Sequence, residues 1–215
     1  MAHRLIVLFI ALGFIGCGGG ITRDTRQNYD DLINLGWDRY NQSMYDDAYQ
    51  LFLTAKTAKD DRPEAYIGCG WALFRRQHPD SAVVLFRQGF DYIATLDDSV
   101  DVLSGLSGSY LARGENIKIV NLFKDTMVSS YEDVFPLKKH DFFLEEGHLE
   151  IVQAMAFYRM GYYTDTDNPL AENPETDNAL YHLNQALTVP YVYTDPADLM
   201  KKMTEYLEQS KGDYY

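Results

Sequence analysis

Between residues 29 and 92, apolar side chains return three and four positions apart, the spacing of one face of an α-helix. Short breaks at 43–45 and 78–79 separate the helical stretches. Pro79 suits the first turn of a helix, where its missing N–H has no partner to lose. The pattern predicts pairs of helices joined by tight turns.

Sliding the chain against itself by 34 residues turns this pattern into a repeat. Gly36 meets Gly70, Trp37 meets Trp71, Asp46 meets Asp80, Ala48 meets Ala82, Leu51 meets Leu85 and Phe52 meets Phe86. Tyr40 facing Phe74 and Ala55 facing Gly89 are near matches. Two helices of a hairpin approach closely only where neither carries bulk. Gly36 and Gly70 on the first helices, with Ala48 and Ala82 on the second, supply those small contacts. Phe52 and Phe86 then fill the groove toward the next hairpin. A fixed period of this length is the mark of a repeat architecture, in which each unit buries its apolar face against its neighbours.

Beyond residue 92 the period loosens. A third hairpin fits 99–113 and 116–129, with Gly114 in its turn and its register slipped by three or four residues. A fourth takes 150–161 as its first helix and 177–189 as its second, around an Asp-, Asn- and Pro-rich insertion at 164–176. A last amphipathic helix at 196–209 supplies a cap with a polar outer face. The hairpins span about 29–58, 62–92, 98–130 and 143–190, and the repeat domain as a whole 29–210. The expected fold is therefore all-α, an α-solenoid of about four helical hairpins closed by a C-terminal capping helix.

The first residues read differently. Arg4 precedes an almost wholly apolar run at 5–15, followed by Gly16, Cys17 and three glycines. Eleven helical residues rise only about 16 Å against a hydrocarbon core of about 30 Å, so this run is too short to span a bilayer. It has the length of a signal-peptide core. Residues 1–16 are read as a leader, and 17–28 as a flexible tether.

Composition narrows the function classes. The 19 basic residues are outnumbered by 32 acidic ones, for a net charge of −13. Loss of the leader removes Arg4 and deepens that charge. Such a field repels phosphate backbones and anionic headgroups, so no nucleic-acid partner is expected. A hydrophobic content of 46% is enough for an ordinary core. With cysteines only at 17 and 69, a disulfide-stapled fold is excluded.

No phosphate-binding glycine loop, paired-cysteine metal site or nucleophile elbow occurs, so neither an enzyme nor a cofactor is expected. His140, Glu145, Glu146, His148 and Glu150 form the densest polar cluster and read as a solvated helix start rather than a metal site. Asp165, Asp167 and Asn168 begin like a calcium loop, yet Leu170 and Thr176 stand where that loop needs Gly and Glu. Cys69 reads as a small buried hydrophobe.

Two resemblances sharpen these readings. Leu35-Gly36, Tyr45, Ala48, Phe52 and Ala55, with Cys69-Gly70, Ala82, Phe86 and Gly89 in the next copy, resemble the tetratricopeptide repeat. In that family the exposed side of the first helices lines a concave groove that grips a peptide or partner helix. The resemblance places Ile33, Trp37, Tyr40 and Asn41 there from the first copy, and Ile67, Trp71, Phe74 and Arg75 from the second. The two tryptophans would form an aromatic platform with a cationic edge; packing of Trp37 on Trp71 between repeats is the competing reading.

Phe14-Ile15-Gly16-Cys17 resembles the lipobox of bacterial lipoproteins, although that motif usually has Leu where Phe14 stands. It implies lipidation of Cys17 and membrane attachment through that lipid. Ordinary leader cleavage leaving a free thiol is the alternative. Gly18 after the cysteine points, by family behaviour, to the outer membrane on its periplasmic side. Together the resemblances imply a tethered scaffold that holds a protein or peptide partner in the cell envelope. A lipoprotein that binds glycans or small ligands through its many tyrosines (among them Tyr158, Tyr162, Tyr163, Tyr181, Tyr191 and Tyr193) is the other expectation.

Overall fold

The computed structural model describes residues 28–93, 96–125, 146–167 and 171–212. Every regular element among them is a helix: α1 (Tyr29–Asn41), α2 (Tyr45–Ala58), α3 (Pro63–Arg75), α4 (Pro79–Phe90), α5 (Leu96–Arg113), α6 (Asn116–Asp125), α7 (Glu146–Arg159), α8 (Ala179–Ala186) and α9 (Pro196–Gly212). Each helix from α1 to α7 packs against the next in sequence. The odd-numbered helices α1, α3, α5 and α7 also touch in order, and α9 packs on α7. The result is an all-α, solenoid-like stack of hairpins.

Most of the expected boundaries agree within a few residues. The seventh helix starts at Glu146 instead of 150, and the eighth is shorter than 177–189. The tail of the third hairpin beyond Asp125 and the whole of 1–27, Cys17 included, lie outside the described residues.

α3 shows why the stack coheres. Its sequence is apolar on every side, as suits a helix with neighbours all round, and Ala65 through Leu73 are buried without interruption. The interlock there is specific. The Phe52 ring, fully buried on α2, lies between Gly36 of α1 and Gly68 of α3. A β-carbon built on either glycine would stand 2.5 Å from that ring. The Phe86 ring, fully buried on α4, lies likewise between Gly70 of α3 and Gly105 of α5. Burying each ring contributes about 1.5–3 kcal/mol, and only glycine leaves room for it on both sides. Ala48 and Ala82 are equally inaccessible and sit at equivalent places on α2 and α4.

The turns carry the same register. Ser43, Gln77, Gly114 and Gly161 follow the four first helices with φ of 59°, 64°, 71° and 84°. At each turn the left-handed residue donates its N–H three positions back, and the next residue donates five positions back. The pairs are Ser43 to Tyr40 and Met44 to Arg39, Gln77 to Phe74 and His78 to Leu73, Gly114 to Leu111 and Glu115 to Tyr110, and Gly161 to Tyr158 and Tyr162 to Phe157. This is one helix-ending motif used four times.

From Ser43 to Gln77 the step is 34, and from Gln77 to Gly114 it is 37. The extra three residues fall before Gly105, where α5 has 18 residues against 13 in α1 and α3. Ion pairs follow the same bookkeeping: Arg76 meets Asp46 at 2.7 Å, and Arg113 meets Asp80 at 3.1 Å. Both aspartates are more than four-fifths exposed, so each bridge contributes only about 0–1 kcal/mol and marks the register more than it holds it.

Gly114 has nothing within 4 Å of the place a β-carbon would take, so its substitution probes backbone conformation alone. Gly114→Ala should cost about 1 kcal/mol in urea unfolding, whereas Gln77→Gly should gain about 0.5–1 kcal/mol by relieving a left-handed non-glycine residue. Neutral behaviour of both variants would contradict the shared turn conformation.

Candidate binding surface

The eight residues expected to line a concave groove do come together on α1 and α3, but as core. Ile33, Trp37, Tyr40, Ile67 and Trp71 are all less than 9% exposed. Phe74 and Arg75 are half-buried, and only Asn41 is exposed. The indole of Trp37 packs edge-on against Phe52, with centroids 4.8 Å apart, and Trp71 packs against Phe86 at 5.5 Å. Arg75 Nε donates to the Tyr40 hydroxyl at 3.0 Å, tying α3 to α1. Phe74 reaches across to α5, where a β-carbon on Gly108 would stand 3.3 Å from its ring.

The expected exposed aromatic platform is therefore corrected. Each tryptophan directly follows the glycine that admits a phenylalanine ring, so the notch that receives the ring also draws in the indole.

Other sequence-marked groups also turn inward. His148 meets Tyr206 of α9 edge-to-face at 5.8 Å. Glu150 Oε2 lies 2.7 Å from His182 Nδ1, with both side chains only 12–13% exposed, and the imidazole stacks on Phe157 at 5.2 Å. The solvated helix start expected for His148 and Glu150 is thus replaced by contacts between α7 and α8 or α9. His140 and Glu145 lie outside the described residues.

In the insertion, Asp167 Oδ2 accepts from both Thr164 N and Thr164 Oγ1 at 2.9 Å, closing a local turn. Asn168 and Leu170 lie outside the described residues. The base of the insertion is clasped where Ala179 N donates to Tyr162 O and Leu180 N to Tyr163 O. Asn178 caps α8 through Tyr181 N at 2.8 Å. Among the described residues, no three His, Cys, Asp or Glu side chains are grouped to hold a metal ion. No described helix is long and apolar enough to cross a membrane.

A different surface is open. Between α4 and α6 runs a trough of about 820 Å³, floored by Leu106 and Tyr110 of α5. Val84, Arg87, Gln88 and Asp91 form one wall, at the three- and four-residue spacing of a single helix face. Lys118, Asn121 and Leu122 form the other in the same way. Val84 and Phe90 are 55% and 45% exposed, large apolar groups on the side of α4 that the stack leaves uncovered. The sequence carried a signal for part of this surface: Val84 falls outside the stripe made by Ala82, Val83, Phe86 and Gly89, whereas Phe90, four residues after Phe86, continues it.

Cys69, with no exposure, sits in the middle of α3. Burial pushes its thiol up to about 12, against the weaker opposing pull of Lys56. A thiol in that state carries negligible thiolate near neutrality. In the native protein at pH 8, iodoacetamide should leave the Cys69 peptide unmodified by mass spectrometry and alkylate it fully after denaturation. Rapid native alkylation would show that α3 is not enclosed.

Comparison of the chain with family models, with curated proteins and with solved structures finds no match to any of them.

Proposed function

We propose that this chain is a non-catalytic scaffold of the bacterial cell envelope, a tetratricopeptide-type lipoprotein that is attached to a membrane through Cys17 and holds a protein partner. The observation that carries the reading is the division of labour in the stack. The glycines and bulky aromatics of the first two repeats are spent on joining hairpins, while a helix-walled trough with exposed apolar groups remains on the outside. Exposed apolar groups gathered beside polar ones are what protein-binding surfaces offer.

The anchoring half of the proposal rests on residues 14–17 and the glycines after them. A flexible tether leaves the hairpin stack free to meet partners near the bilayer. Gly18 supports an outer-membrane, periplasm-facing placement. The acidic balance of the chain favours attachment by lipid over attraction to anionic headgroups.

One experiment tests both halves. Cells expressing the full chain would be labelled with palmitate and treated with a lysine-reactive cross-linker, and the labelled protein then isolated. The wild type should carry the label and appear in a discrete cross-linked species with a second protein. Cys17→Ser should lose the label and most of that species. Persistent labelling of Cys17→Ser would sink the anchor, and a labelled chain that never cross-links would sink the scaffold.

A further inference from the structure

We draw no further inference here: the strongest candidate, the loop between α8 and α9 that hydrogen bonds from Tyr191 to Asn184 and Asp198 hold with Val189 and Val192 75% and 80% exposed, is an unpartnered apolar surface, and nothing in the structure shows what covers it.

Discussion

A phenylalanine ring in the path of two helix backbones holds this structure together. Phe52 and Phe86 each project from a second helix into the crevice between its own first helix and the next one, where both backbones must come close. The crevice accepts the ring because Gly36 and Gly68 face Phe52, and Gly70 and Gly105 face Phe86. Each ring therefore joins three helices at once, and its burial cannot be shared out among separable pairs. α3 provides one glycine to the ring before it and one to the ring after it, which sets Gly68-Cys69-Gly70 between the two rings. Close packing of this kind tolerates little added volume, since the atoms around a filled crevice have nowhere to go.

That constraint decides where other residues end up. An indole beside a glycine notch is drawn into the notch, so Trp37 and Trp71 became core even though tryptophan is a frequent anchor at binding surfaces. Arg75 and Tyr40, which look like the rim of a groove, link α3 to α1 instead. With these residues occupied in this way, a trough that carries exposed apolar groups remains between α4 and α6 among the described residues, and the proposed function rests on it. Its apolar groups, Val84 and Phe90, are the ones that the interlock does not use. The functional proposal follows from this separation between residues that join repeats and residues that remain outside the joints.

Much of the fold was legible before the structure. The 34-residue identities placed α1 to α4 closely, and the slip in the third hairpin was visible as a loss of register. Gly68 and Gly105 were not legible as partners, because they are 37 residues apart and no 34-residue comparison pairs them. The turn residues hid for a related reason: Ser43 and Gln77 adopt the backbone conformation that Gly114 and Gly161 adopt, but their identities do not advertise it. The exposure of the tryptophans was misread because side-chain periodicity shows which face a residue occupies and not what covers that face, here Phe52 for Trp37 and Phe86 for Trp71. His148 and Glu150 were misread similarly, since their polar spacing carries no information about the aromatic and histidine side chains that α8 and α9 bring to them.

The claim that a ring between two glycines sets the register is tested most directly by double-mutant cycles in urea. One cycle pairs Gly68→Ala with Phe52→Leu, and the other pairs Gly105→Ala with Phe86→Leu. The account predicts that each alanine alone costs about 1–3 kcal/mol, and that the smaller leucine relieves much of it, with a coupling of about 1 kcal/mol or more in both cycles. Losses that simply add, within about 0.3–0.5 kcal/mol, would contradict it.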